Sequence, residues 1–115
     1  MNKVNEYGKW LNETNWDIFG TLTYKNRVSE RRNWTIMNEL TNNLKSYGLA
    51  FNMFWVHERY SQPHNHFLLK GSDIELVDKL WKGKGYINDY QTYDSSKGAS
   101  WYVCKYMKED NYEYI

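Results

Sequence analysis

Residues 50–70, AFNMFWVHERYSQPHNHFLLK, decide how this chain folds. Two runs, 50–59 (AFNMFWVHER) and 64–70 (HNHFLLK), are rich in aromatic and aliphatic residues and flank a short polar segment that contains Pro63, the only proline. That pattern reads as a β-hairpin. Upstream, residues 16–25 (WDIFGTLTYK) alternate Ile18, Gly20, Leu22 and Tyr24 against Phe19, Thr21 and Thr23. The period of two and the β-branched and aromatic content predict a first strand. Between the two regions, Ser29 can cap a helix whose apolar positions Met37, Leu40, Leu44 and Tyr47 fall on one stripe, with Gly48 at its C-terminal stop.

Downstream, Ser72 and Glu75 form an S-x-x-E capping box opening a short helix through Leu76, Val77 and Leu80 to Trp81, ended by Gly83 and Gly85. Residues 86–94 (YINDYQTYD) read as an exposed strand and 98–109 (GASWYVCKYMKE) as a closing helix. Residues 3–13 are a short helix or an arm, weakened by Gly8. The order strand, helix, strand, strand, helix, strand, helix is an α+β arrangement: a ferredoxin-like or RRM-like βαββαβ unit with a C-terminal helix added. Such a unit leaves one sheet face free of its crossover helices, and a site belongs on that face.

A length of 115 residues makes one domain with a single core. Lys plus Arg number 15 against 14 for Asp plus Glu, so a net charge of +1 confines any basic patch to a local feature. Aromatic residues are 18% of the chain, including six Trp and eleven Tyr, which is more than packing a core of this size requires. Some are expected to face a ligand. Cys104 is the sole cysteine, which excludes an intramolecular disulfide and a cysteine zinc cage. No apolar run reaches the roughly 18 residues of a membrane span, and a cytoplasmic location is expected.

Two constellations carry chemistry. His64 and His66 are two apart on a strand, so their imidazoles point to one side and can converge on one cation. A third ligand can come from the preceding strand, where His57 and Glu58 point to opposite faces. An odd-length connection (60–62 or 59–63) puts Glu58 with the histidines, whereas an even one puts His57 there. Two imidazoles and a carboxylate suit a divalent ion with open positions, such as Mn²⁺ or Mg²⁺, and also admit zinc.

The second constellation is Tyr102 and Lys105 in WYVCKYMKE, which share a helix face, with Tyr106 one step further on. A phenol with a pKa near 10 is a weak nucleophile at neutral pH. It needs an easier electrophile, such as a phosphodiester with one oxygen polarised by a metal, and a nearby lysine can help to neutralise charge in the transition state. The phosphotyrosine so formed keeps a comparatively good leaving group, so strand transfer back to a 3′-hydroxyl needs no ATP.

With these motifs the chain resembles the HUH endonucleases, specifically the rolling-circle replication initiators (Rep proteins) of plasmids and small viruses. FGTLTY (19–24) is similar to the first Rep motif, PHNHFLL (63–69) to the His-hydrophobe-His motif, and YVCK (102–105) to the Y-x-x-K motif. The resemblance implies a five-stranded antiparallel sheet and a divalent metal held by His64, His66 and the upstream Glu58. It also implies Tyr102 as the nucleophile of the single-tyrosine type, on the C-terminal helix, with Lys105 assisting. Tyr102 would cut single-stranded DNA, form a 5′-phosphotyrosyl link and release a 3′-hydroxyl. Tyr106 can be read as a second nucleophile.

Two departures are Asn65, where the family carries an apolar residue, and the short step of six positions from Glu58 to His64. DNA contacts are expected from Thr21, Thr23, Tyr24, Arg27, Arg59 and Tyr106, with Tyr24 and Tyr60 stacking bases and Arg31 and Arg32 adding to the basic patch. The expected unit is a single nuclease domain over 1–115 without a helicase. Its partners would be an origin or hairpin in single-stranded DNA, the host polymerase and helicase, and a second copy if it dimerises, with no membrane partner. The other readings are a one-tyrosine transposase of the same superfamily, a non-catalytic RRM-like binding module and a structural accessory protein.

Overall fold

The alternation at 18–24 is borne out in the computed structural model, which describes residues 8–48, 50–58, 63–71, 74–81, 85–98, 102, 106 and 111–114. Strand β1 spans Ile18–Tyr24, helix α1 Glu30–Ser46, β2 Asn52–Glu58, β3 His64–Lys70, helix α2 Ile74–Trp81, β4 Gly85–Thr92 and β5 Tyr112–Tyr114. A helical turn at residues 8–11 precedes them. The five strands form one sheet in the order β4-β1-β3-β2-β5, and every neighbouring pair is antiparallel. Among the described residues no helix is long and apolar enough to cross a membrane.

Strand periodicity divides the apolar residues between two faces. On one face Leu22 and Tyr24 of β1, Met53 and Trp55 of β2, and Phe67 and Leu69 of β3 pack against Ile36, Met37, Leu40 and Leu44 of α1 and Val77 and Trp81 of α2. The four α1 residues lie on the apolar stripe expected of an amphipathic helix. Ser29 caps that helix, its hydroxyl accepting from the Arg32 N–H at 3.0 Å, and Gly48 lies beyond the last turn with φ +76°. A left-handed residue there is the usual helix stop.

The opposite face carries no long helix among the described residues. A smaller cluster covers part of it: Phe54, Val56 and Leu68 from the sheet with Leu11, Trp16 and Tyr102. The Trp16 indole N–H donates to the Leu11 carbonyl at 2.9 Å, which ties the N-terminal turn down over this face.

Strand β5 is absent from the elements that periodicity alone predicts, because three residues at the end of a chain give no measurable alternation. It pairs with β2 through Phe54↔Tyr114, Trp55↔Glu113 and Val56↔Tyr112, and gives the sheet its fifth strand. The closing helix expected over 98–109 and the Ser72 cap fall largely outside the described residues. Of the former, residues 98 and 102 are helical and residue 106 lies in a 3₁₀ turn.

Candidate metal centre

The hairpin decides which side chains meet. Glu58, the last residue of β2, is the register partner of His64, the first of β3, so the connection is the odd one, 59–63. Glu58 therefore shares a face with His64 and His66. The alternative ligand, His57, turns to the helix-covered face, where it is buried and its Nδ1 lies 2.5 Å from Glu30 Oε1.

His64 Nε2 lies 3.0 Å from Glu58 Oε1 and 2.9 Å from His66 Nε2, and one ligand atom from each of the three residues lies within 4.8 Å of the others. Ligand atoms bound side by side at about 2.1 Å to a common ion stand about 3 Å apart. The spacing fits a divalent cation. His66 Nδ1 is 3.2 Å from Thr21 Oγ1, and Thr21 is its register partner on β1. A hydroxyl accepting from Nδ1–H leaves the Nε2 lone pair aimed at the cluster, which is how an outer partner selects a ligating tautomer. Glu58 and His64 are half-buried, so the cluster opens to solvent on one side, and His66 is the inner member.

An aromatic wall adjoins the histidines. The His66 ring lies parallel to Tyr106, with centroids 3.9 Å apart, and to Phe19 at 5.9 Å. Phe19 in turn touches Tyr102, whose centroid is 4.8 Å away. Tyr102 and Tyr106 thus belong to the same sheet face as the ligand cluster. Their hydroxyls differ in situation. Tyr102 is only 4% exposed, and its hydroxyl oxygen accepts from the Asp94 N–H at 2.9 Å, whereas Tyr106 is partly exposed. The tyrosine that the Y-x-x-K spacing nominates is therefore tucked toward the end of β4, and it is Tyr106 that lies against a ligand. Lys105 lies outside the described residues.

The remaining DNA contacts expected from the sequence divide. Thr21 and Thr23 lie on the metal face and Arg27 is exposed beyond β1, while Arg59 and Tyr60 lie outside the described residues. Tyr24 is a correction. It is 2% exposed in the helix-side core, its hydroxyl donates to Asn33 Oδ1 at 2.7 Å, and burial holds its phenol far above the ordinary range, so it cannot stack a base.

Residues that sequence reading missed hold the wall in place. The Asn111 amide donates to the carbonyls of His57 and Tyr106, at 2.9 and 3.1 Å, and the His57 N–H donates to the Asn111 carbonyl at 2.7 Å. Asp94 organises the turn that meets Tyr102: its carboxylate accepts from the Ser96 hydroxyl and N–H, and these two bonds hold its pKa below the ordinary aspartate value. Neither residue announces itself in sequence, since each acts on a segment far along the chain or through its backbone.

The family model for the replication-associated protein ORF2 matches residues 17–111, from just before β1 to the residue before β5. The chain belongs to that family. Membership bears out the resemblance to rolling-circle replication initiators, and the match spans the elements that carry the Glu58, His64 and His66 cluster and both tyrosines. No curated protein and no solved structure gives a match.

Proposed function

We propose that this replication-associated protein is a site-specific endonuclease and strand transferase that nicks single-stranded DNA through a tyrosine. One observation carries the reading: in a member of this family, the ligand atoms of Glu58, His64 and His66 converge on the sheet face that also bears Tyr102 and Tyr106. Held by those three residues, a divalent cation, Mn²⁺ or Mg²⁺, supplies Lewis acidity toward a phosphodiester oxygen.

The chain's own groups do the rest. Thr21 keeps the His66 tautomer that ligates through Nε2. A phenol oxygen attacks phosphorus, its proton passes to solvent, and the bond to the 3′ oxygen breaks, leaving a 5′-phosphotyrosyl ester and a strand ending in a 3′-hydroxyl. Attack by a 3′-hydroxyl on that ester reverses the step and rejoins DNA. Lys105 is assigned charge neutralisation at the phosphate, and Thr23, Arg27 and Arg59 are assigned contacts along the strand.

The Y-x-x-K spacing nominates Tyr102 as the nucleophile, on a C-terminal helix, while the stacking of Tyr106 on His66 favours Tyr106. In the Tyr102 reading the Asp94 N–H releases the hydroxyl on DNA binding. The strand order, with both helices on one face, supports a ferredoxin-like reading of the scaffold, which we take as a single nuclease unit over 1–115.

The test is a labelled single-stranded origin oligonucleotide incubated with Mn²⁺, read on a denaturing gel. Cleavage that disappears in His64→Ala with His66→Ala, and in one of Tyr102→Phe and Tyr106→Phe, supports the proposal and names the nucleophile. Undiminished cutting by the double Phe variant, or binding with no cleavage, overturns it in favour of another nuclease or a binding module.

A further inference from the structure

The three ligands occupy one face of the β2–β3 hairpin, and on its other face the hairpin is gripped by polar groups. His57 and Asn65 are cross-strand partners. The first precedes Glu58, the second separates His64 from His66, and both are buried beneath α1. The first turn of α1 meets them with two side chains three positions apart, hence on one helix face. Glu30 contacts His57. Asn33, 1% exposed, exchanges two amide hydrogen bonds with Asn65: Asn33 Nδ2 donates to Asn65 Oδ1 at 3.0 Å and Asn65 Nδ2 donates to Asn33 Oδ1 at 2.8 Å. Tyr24 adds its hydroxyl to Asn33 Oδ1.

An apolar side chain at position 65 would fill this place without desolvating an amide. What the amide pair adds is direction. Packed methyl groups tolerate a sliding strand, whereas two reciprocal hydrogen bonds hold only at one translation and one rotation of β3 against α1. The fixed points lie at the residue between the two histidines on β3 and, through the Glu30 contact, at His57 beside Glu58 on β2, so the same contacts set where the imidazoles emerge relative to the Glu58 carboxylate on the other face.

We propose that Asn33 and Asn65, together with the Glu30–His57 contact, are positioning residues that hold Glu58, His64 and His66 at the spacing a divalent cation requires, and so set its affinity. The proposal rests on the metal reading above. The probe is Mn²⁺ alone, titrated calorimetrically into the full chain, with Co²⁺ visible absorption reporting ligand geometry and thermal melting reporting the fold.

The decisive variant combines Tyr24→Phe, Asn33→Leu and Asn65→Leu, which leaves no amide of the pair without its partner and so retains the fold. It should melt near the parent, bind Mn²⁺ about tenfold more weakly, as loss of an outer support does at metal sites, and show a changed Co²⁺ spectrum. A purely structural pair would leave affinity and spectrum at parental values, and that outcome overturns the proposal. Should the triple variant not fold, Asn33→Ala carries the same expectation, because Asn65 stays on β3 and only its partner is removed. A parent that binds no Mn²⁺ overturns the metal reading and this proposal together, whereas a parent that binds and variants that bind equally overturn this proposal alone.

Discussion

Gly20 is the residue whose substitution the structure prices most directly. It lies in the middle of β1, opposite Phe67 on β3 and Tyr90 on β4. A Cβ placed on it would stand 2.4 Å from Phe67 Cζ, 2.6 Å from Cε1 and 2.9 Å from Tyr90 Cδ1. Carbon atoms in comfortable contact are about 3.5–4.0 Å apart, so the Phe67 ring must retreat by about 1 Å. It has nowhere to go: it is fully buried in the helix-side core beside Leu22, Trp55 and Leu69. Overpacking of this kind costs about 1–3 kcal/mol, and the strand regains up to about 1 kcal/mol by losing a flexible glycine. Gly20→Ala should therefore destabilise by about 1 kcal/mol, a fall in Tm of about 4 °C for a domain of this length. The assay is chemical or thermal unfolding of Gly20→Ala, Phe67→Leu and the double variant. Because leucine removes the Cζ that the new methyl meets, the double variant should be more stable than additivity predicts by about 1 kcal/mol. Additivity within about 0.3 kcal/mol, or a Gly20→Ala protein as stable as the parent, would refute the steric reasoning.

Four further outcomes are expected. Thr21→Val removes the partner of His66 Nδ1 and should weaken Mn²⁺ binding by about tenfold with little change in Tm, measured by calorimetry. Mn²⁺ at 100 times its Kd should stabilise the parent by about 2.7 kcal/mol and leave His64→Ala with His66→Ala unchanged, measured by thermal shift. Ser29→Ala deletes the α1 cap and should cost about 1 kcal/mol in denaturant unfolding. Desolvation on β5 holds the Glu113 carboxyl above its ordinary value. The folded state therefore keeps that proton longer than the unfolded one, and stability falls as pH rises from the ordinary glutamate range, about 4.3, through the raised value. Glu113→Gln should be more stable than the parent at pH 7, with the gap closing below pH 4 in melts across that range.

The hairpin and its histidines were legible because a strand has a period of two: two histidines flanking one residue must share a face whatever else the chain does. The choice between His57 and Glu58 was not, since one residue more or less in the connection exchanges them, and only the observed Glu58↔His64 pairing decides it. Tyr24 reads as a stacking aromatic because it precedes a basic stretch, yet its alternation with Leu22 groups it with the covered side, and burial decides. Strand β5 escaped because its pairing partner, β2, lies more than fifty residues away and three residues carry no pattern of their own. The amide pair of Asn33 and Asn65 escaped for a related reason: Asn65 stood out as a departure from the motif, but its partner is 32 positions upstream on a helix whose docking no local rule fixes. Which tyrosine faces the cluster also depends on tertiary packing, here the Asp94 N–H that holds Tyr102 and the Asn111 amide that holds the Tyr106 backbone.

Most direct of all is mass spectrometry of the peptides recovered after the protein has cut a single-stranded oligonucleotide in the presence of Mn²⁺. A peptide spanning 102–106 should carry the 5′ end of the cleaved strand as a phosphodiester on Tyr102 or Tyr106, and treatment with a 3′-hydroxyl acceptor strand should discharge it. Cut DNA bearing a free 5′-phosphate, with both tyrosines unmodified, would mean that water and not a phenol attacks, and that the aromatic wall beside His66 serves some other purpose.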